Sequence, residues 1–580
     1  MNPLFGIRQF INAAATTSSH LAEDRVFFAM QVARRLPPRV VRAIGGLLSR
    51  FEQSATQAAS AWLLGREERA RTIVRSSLCE SPSRLLGEIA LNLGLLEEAA
   101  SIASAISDGR SLSARIAWTE GDLDSAINAA PPGARRRRLD SERRVLSAGW
   151  WPTVKPQADF GGRPENSSRQ LPSALHVLTN SLPHTRSGYA YRSHLILSTL
   201  QDAGHSVLGA TRPSYPVTIG KLSSGSSETI DGIRYLRNVP MRPATTPEAR
   251  LSEQAAWISA QARDNDADIL HTTTHYVNGL VTGAAARASG LPWVYEVRGV
   301  LEETWAASGS SDEERRRRRS SQRFVRMRAR EIEVACSADA VITLGQTMKE
   351  HLVANGVSSE TITVIPNSVS DAVVSADVER RPAAVRAEMG LPSSGIWVGT
   401  AASIVGYEGL DGLVDAVSLA RSQGVDIRLL VAGDGIALPA LREKAEHLGE
   451  NAVFVGRVSA TEAIEYQLAL DAIVVPRKDE PVCRLVTPIK PVEAMGLGRP
   501  VIVSDLPALR ELVPRDAGRH VQAGSAEKLA EAVVELAGDD DLRQHLGENG
   551  RAQILATRRW RDIGTRYSEV YSRIMRERAR

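Results

Sequence analysis

Cysteine is nearly absent: the 580 residues contain three, Cys79, Cys336 and Cys483, far apart and with no CxxC pair. That excludes a disulfide scaffold and a structural zinc site and points to a reduced compartment. Long apolar runs are missing too. No stretch approaches the roughly 18–20 residues that span a bilayer. The N-terminal MNPLFGIRQFINAAATTSSH has no continuous apolar core followed by a cleavage signal, so no secretory leader is expected. The expected location is the cytoplasm, with a peripheral position at the inner face of a membrane left open. Charge of one sign is not in excess: 71 Lys and Arg against 67 Asp and Glu leave +4. A dedicated nucleic-acid binder carries a stronger and more localised excess, so nucleic acid is not an expected partner. Neither GxGxxG nor GxxxxGK[ST] occurs, which removes the dinucleotide fingerprint and the P-loop.

What remains is the composition of ordinary globular protein, 43% apolar and 24% charged, in a chain long enough for three or four domains. Positive charge collects in two runs, Arg135–Arg138 and Arg315–Arg319. Each reads either as a solvated face or as a contact for anionic lipid or a polyanionic acceptor.

Residues 1–150 are rich in Ala, Leu, Arg and Glu and read as an all-α extension. Three similar frames recur in it: Gly65 with Ala70, Gly94 with Ala99, and Gly121 with Ala126. Stacked helical hairpins need a small residue in a tight turn and then an alanine against a close neighbour. The other reading is an irregular bundle. As hairpins, the extension would have its own core, present a docking surface to a protein partner, and leave a chain from about Leu171 able to fold alone. Residues 151–172, polar and rich in Pro and Gly, read as a linker. From 173 to 385 short apolar runs such as SALHVLTN, ADILHTT and PWVYEVRG alternate with helical stretches, and a second set (GIWVGTAA, DIRLLVAGDG, AIVVPR, RPVIVSD) fills 386–555. Such alternation predicts α/β architecture, two Rossmann-like domains facing a cleft. Residues 556–580 predict a helix crossing back to the first domain.

In parallel sheets ligands bind beyond the carboxyl ends of the strands. The loop LPHTRSGYAYRSH therefore offers Gly188 for a close backbone approach to donor, Arg186 and Arg192 as nearby charge, and His184 toward the acceptor. Gly188 reads equally well as a plain turn. DILHTTTHY and VYEVRG place His271, His275, Glu296 and Arg298 at neighbouring strand ends, where His271 and Glu296, like Arg192, are expected to contact acceptor or sugar; Arg298 is either a cleft cation or a buried partner of Glu296. Two histidines leaving a strand with no third ligand do not make a metal site. The richest segment is VVPRKDEPVCRLVTPIKPVEAMGLGRPVIVSD. Lys490, in the first turn of a helix expected near Pro488, with Arg477, Arg484 and Thr487, suits a diphosphate, and Glu493 one turn on suits ribose hydroxyls. An ordinary capped helix with solvated charges is the competing reading. The DxD string in DNDAD, 264–268, precedes its strand and falls at the wrong end of the sheet.

From about 174 to 572 the sequence resembles the large retaining glycosyltransferase family (family four) that includes sucrose synthases and bacterial mannosyltransferases. The resemblance rests on GYAYRSHLILSTLQDAGHSV, VIPNSV, SIVGYEGLDGLVDAV, LLVAGDG, VFVGRV and above all PIKPVEAMGLGRPVIVSD. It implies the GT-B fold and metal-independent transfer of a sugar, with retention, from a nucleoside-diphosphate-sugar to a glycan, lipid-linked or small-molecule acceptor, in cell-surface glycan synthesis. No cofactor is implied beyond the donor. The sequence departs from the family in three places. The family's paired glutamates lie eight residues apart; Glu493 fits the second, but Leu485 holds the place of the first, with Asp479 or Glu480 as candidate substitutes. Glu408 stands where a phosphate-binding lysine is usual, leaving Lys490, with Arg477 or Arg484, to replace it. The Asn-Gly hinge reads Asn367-Ser368. On this reading Lys490, Arg298 and Glu480 are the catalytic candidates. The departures keep open a decayed transferase acting as a scaffold, and a non-hydrolysing sugar-nucleotide epimerase stands as a further enzyme class.

Overall fold

The computed structural model describes residues 3–23, 25–33, 36–78, 80–156 and 171–579; Cys79 and most of the predicted linker lie outside the described residues. Up to Val145 every regular element is helical. Helices Ser54–Leu63 and Glu67–Ser76, Arg84–Asn92 and Leu96–Ala105, and Arg110–Glu120 and Leu123–Ala129 pack as successive hairpins. Their turns hold Gly65, Gly94 and Gly121 at φ of +73°, +74° and +84°. A residue with a Cβ meets its own backbone there, so glycine ends each first helix. Ala70, Ala99 and Ala126 are fully buried, because the second helix of each pair comes too close for a larger side chain.

The extension is not free-standing, contrary to the sequence-based expectation. Leu86, Ile89, Ile102 and Leu112 form a separate core, but Leu123, Val145 and Leu146 belong to the core of the first α/β domain. Gln322 Oε1 accepts from the amides of Leu123 (3.0 Å) and Asp124 (3.1 Å). Trp151 Nε1 donates to Glu333 at 3.2 Å and Arg330 donates to the Trp150 carbonyl at 2.5 Å. Sequence periodicity reports which face of a helix is apolar and not what covers it.

The first domain is an eight-stranded sheet: β1 (Ala174–Leu178), β2 (Val207–Thr211), β3 (Ser227–Ile230), β4 (Ile233–Leu236), β5 (Ile269–Thr273), β6 (Trp293–Val297), β7 (Ala340–Thr343) and β8 (Ile362–Val364). Its order is β3-β4-β2-β1-β5-β6-β7-β8. All pairs are parallel except β3 with β4, a hairpin turned by Asp231 and Gly232, both at positive φ, as a two-residue primed turn requires. β1, β5 and β6 are buried along their whole length, since helices cover both faces. The second sheet holds β9 (Ile396–Ser403), β10 (Ile427–Asp434), β11 (Ala452–Gly456), β12 (Ala472–Val475), β13 (Val501–Ser504) and β14 (Gly518–Val521), in the order β11-β10-β9-β12-β13-β14. The helix Trp560–Ala579 returns to the first domain, burying Ile563, Tyr567, Tyr571 and Ile574 against Ile196 and Leu200 of the helix Gly188–Asp202.

Strand order reverses direction between β1 and β5 in one sheet and between β9 and β12 in the other. At such switch points the helices leave on opposite faces and the strand ends open into a crevice. Chemistry is therefore expected beyond these two strand pairs.

Candidate active site

At the β9/β12 switch two loops meet. The loop after β9 brings Glu408 and the loop after β12 brings Arg477, both buried. Arg477 Nη2 lies 3.0 Å from Glu408 Oε1, and Lys490 Nζ lies 2.5 Å from Glu408 Oε2. Burial alone would raise the carboxyl pKa, but the Arg477 and Lys490 charges outweigh it and hold Glu408 at about 2. Burial in turn pulls the Lys490 ammonium below the usual lysine range, with Glu408 opposing. The cluster thus carries one net positive charge. Arg477 also donates to the Val486 carbonyl at 2.9 Å, fixing the following loop. The helix here runs Lys490–Gly496, starting two residues later and shorter than its sequence suggests.

One turn beyond Lys490 the half-buried Glu493 carboxylate has no hydrogen-bond partner among the described residues, and burial, opposed by Lys490, pushes its pKa up to about 7. A carboxyl so placed titrates near neutrality and is a candidate ligand-binding group. The Thr487 hydroxyl is buried and also unpartnered. Its carbonyl accepts from Asn367 Nδ2 at 3.1 Å, joining the loop to the first domain. Gly345 leaves room beside this loop: a Cβ there would lie 2.8 Å from both Thr487 Oγ1 and Glu511 Oε1.

Other predicted residues are committed elsewhere. Glu480 is gripped from across the cleft by Arg315 Nε at 2.9 Å and Arg319 Nη2 at 2.5 Å, so it ties the domains together instead of facing a reacting sugar. The Arg315–Arg319 run is accordingly no simple solvated face: Arg319 also pairs with Glu303, and Arg318 with Glu314. Arg484 lies at the surface, paired with Asp479. His184 binds Glu228 at 2.8 Å, and Arg237 shares that carboxylate. Arg298, Arg192, His271 and Glu296 form a dry cluster under the cleft floor, not a sugar-contacting surface. Glu296 accepts from Arg192 (2.8 Å), Arg298 (2.9 Å) and Tyr567 (3.1 Å), with His271 at 3.5 Å. Burial works against this carboxylate, yet the two arginines hold it well below the usual range. Arg192 continues to Asn367 Oδ1 at 3.0 Å, and His271 Nδ1 meets Tyr571 OH at 2.7 Å. A short alternating pattern places such residues near strand ends, but only packing shows which are sealed beneath.

At the β1/β5 switch a cavity of about 190 Å³ is lined by Asn180, Ser187, Tyr189, Ser193, Thr274 and His275, among others. That is room for roughly six waters at ~30 Å³ each. Its lining holds no Asp, Glu, Lys or Arg and sets amide, hydroxyl and imidazole groups among the apolar Leu178, Ala190 and Leu301. Burial, with Arg212 adding, takes His275 down to about 4, so the ring is neutral at physiological pH. Its Nδ1 accepts from the Val277 amide at 3.3 Å, which assigns the proton to Nε2. Asn180 Oδ1 is buried without a partner. Gly188 opens the helix at the rim, and a Cβ there would meet nothing within 4 Å, so its smallness leaves space free and relieves no clash. Asn180, Tyr189 and Ser193 were not among the expected residues; the strand-end rule applied to the residues following β1 would have found Asn180.

Residues 395–539 match the family described as glycosyl transferases group 1, and residues 187–368 match the glycosyl transferase 4-like domain. Together the two cover more than half of the chain; residues 1–186 lie outside both. Among curated proteins, a GDP-mannose-dependent monoacylated alpha-(1-6)-phosphatidylinositol monomannoside mannosyltransferase of Corynebacterium glutamicum is 27% identical over 189 residues, 32% of this chain and 50% of the relative. The chain thus spans about half the length of that relative. Among solved structures, sucrose-phosphate synthase from Thermosynechococcus elongatus superposes with a TM-score of 0.56 at 20% identity, over 70% of this chain and 100% of that one. Anabaena HepE in complex with UDP and glucose gives 0.53 at 18%, over 69% and 99%. These structures share the two-domain GT-B fold.

Proposed function

Because the chain belongs to the group 1 glycosyltransferases, we propose that it moves a sugar from a nucleoside-diphosphate-sugar to a glycan, lipid-linked or small-molecule acceptor, with retention and without a metal, in cell-surface glycan synthesis. One observation carries the reading: Arg477 and Lys490 converge on Glu408 at the β9/β12 switch, where a parallel sheet presents its ligands. A departing diphosphate needs fixed positive charge in a site that excludes water, and these two cations supply it. Glu408 spaces them and favours their charged forms. Glu493, unpaired and poised near neutrality, accepts from the ribose hydroxyls. The acceptor occupies the β1/β5 cavity, where amide, hydroxyl and neutral imidazole groups match a sugar's hydroxyls. His275 donates through Nε2. No protein nucleophile is required, so Leu485 in the place of the first family glutamate does not silence the site.

The test is a panel of nucleoside-diphosphate-sugars with glycan and lipid-linked acceptors, read by nucleoside diphosphate release and by the anomeric configuration of the product. Retention of the donor's configuration is expected. If no nucleotide sugar shifts the melting temperature or turns over, the reading is wrong; binding without turnover would make the protein a scaffold.

A further inference from the structure

The N-terminal helix Pro3–Glu23 is built inside out. At about 100° per residue, Phe5, Gln9, Asn12 and Thr16 share one side, while Leu4, Ile7, Phe10, Ile11 and Ala14 share the other. The mainly polar side faces the protein. Gln9 Nε2 donates to the Ser223 carbonyl at 3.0 Å and its Oε1 accepts from the Ser223 amide at 2.8 Å. Asn12 Nδ2 donates to the Pro240 carbonyl at 2.6 Å, and its Oδ1 accepts from Ser214. The apolar side faces outward, with Leu4 66%, Ile7 51% and Phe10 75% exposed. Next to the bonded Ser223 and Pro240 stand Leu222 and Met241, which are exposed as well. A surface helix normally turns the other way, so this apolar side meets something other than water.

Charge selects the partner. The helix packs against the helix Ala134–Val145, which carries one of the two arginine runs. Arg136 and Arg137 in that run are exposed, and no hydrogen bond or ion pair holds their side chains among the described residues; the same is true of the Arg8 side chain. Beside the helix opens a cavity of about 630 Å³ with Arg8, Arg234, Arg237 and Arg242 in its lining and Glu253 its one acidic residue; Arg237 is bonded to Glu228 and Arg234 to Asn265, so Arg8 and Arg242 are the cations it offers to a ligand. Apolar side chains flanked by unpaired arginines match a bilayer interface bearing anionic headgroups, where aliphatic and aromatic groups enter the acyl boundary and arginines stay at phosphate level. We propose that residues 3–23, with Arg136 and Arg137, dock this protein on an anionic membrane surface, the basic cavity receiving a headgroup. The proposal is independent of the donor-site reading.

Flotation of the full chain with phosphatidylglycerol–phosphatidylcholine vesicles, against phosphatidylcholine alone, tests it. The wild type should float with the anionic vesicles and release at high salt. Ile7→Glu with Phe10→Glu should lower the bound fraction at least about tenfold, and Arg136→Ala with Arg137→Ala roughly fivefold per arginine, with unchanged melting temperature and unchanged nucleotide binding. Because the arginine pair is exposed and unbonded, it keeps the test valid if the glutamate pair misfolds. No flotation, or equal flotation on neutral vesicles, overturns the proposal. So does a wild-type dimer in light scattering that Phe10→Glu dissociates, since the apolar side would then cover a second copy.

Discussion

Replacing Glu408 by glutamine removes one charge from a buried group of three and keeps its shape. The carboxyl sits at about 2 against an ordinary 4.5, a difference worth about 3 kcal/mol at ~1.4 kcal/mol per pKa unit. Because the folded pKa is the lower, this stability is present in full above pH 4.5 and is lost as pH falls from there toward 2. At pH 7.5 Glu408→Gln is therefore expected to cost about 3 kcal/mol, in line with stranding buried charges. For a domain of this size that lowers the melting temperature by roughly 6–12 °C. An anionic ligand on the same cations has the opposite response. A carboxylate about 6 Å from a phosphate opposes it by up to about 3 kcal/mol at an effective dielectric of ~20. Without that carboxylate, UDP or GDP should bind about 5- to 100-fold more tightly, so nucleotide should recover most of the lost melting temperature. Differential scanning fluorimetry with and without nucleotide, and calorimetric titration, measure both. A destabilised variant whose nucleotide affinity is unchanged or weaker would refute the reasoning and place the phosphates elsewhere.

Four further outcomes are expected. If Glu493 accepts from the ribose only when ionised, nucleotide affinity should rise roughly tenfold from pH 6 to pH 8 as the carboxyl titrates near 7, and Glu493→Gln should flatten the profile in calorimetry. Lys490→Ala should weaken nucleoside diphosphate binding by about 1.5–3 kcal/mol as a charge-assisted bond is lost; unchanged affinity would remove the assignment. Transfer should survive EDTA, and full loss restored by magnesium or manganese would count against a metal-independent mechanism. A chain beginning at Leu171 uncovers the seat of Leu123, Val145, Leu146 and Trp151, and at about 1.5–3 kcal/mol per buried side chain it should melt well below the full chain, contrary to the linker-and-module picture.

The architecture was legible because parallel strands buried on both faces write themselves as continuous apolar runs: SALHVLTN and PWVYEVRG needed no context to be read as β1 and β6. The hairpin of β3 and the four residues of β14 were harder. β3 is an edge strand with polar side chains, and Arg519 and His520 break the apolar run of β14. At the site, Lys490, Arg477 and Glu493 could be found because the strand-end rule needs only sequence order. Glu408 reads in the sequence as a missing lysine and not as the centre of the cluster, since pairing across 69 residues has no local signal. Glu296 shows the converse. The same rule places it in the cleft, yet it lies one layer too deep. Depth within a sheet is set by the return of the C-terminal helix, whose Tyr567 hydroxyl caps it, and nothing near position 296 announces that.

The chain passes between the two domains twice, and the two passages lie side by side. The Val369 amide donates to the Arg558 carbonyl at 2.9 Å, and Val369 and Arg559 form a parallel bridge. In mechanical terms this is a flexure of two plies bonded together: stiff to stretching and to torsion, compliant in bending about one line. Two domains joined in this way are expected to turn most easily about that line. The Glu480 clasp on Arg315 and Arg319 spans the cleft as a charge-based latch. Its strength falls with ionic strength, so raising salt is expected to weaken this one of the ties that hold the cleft.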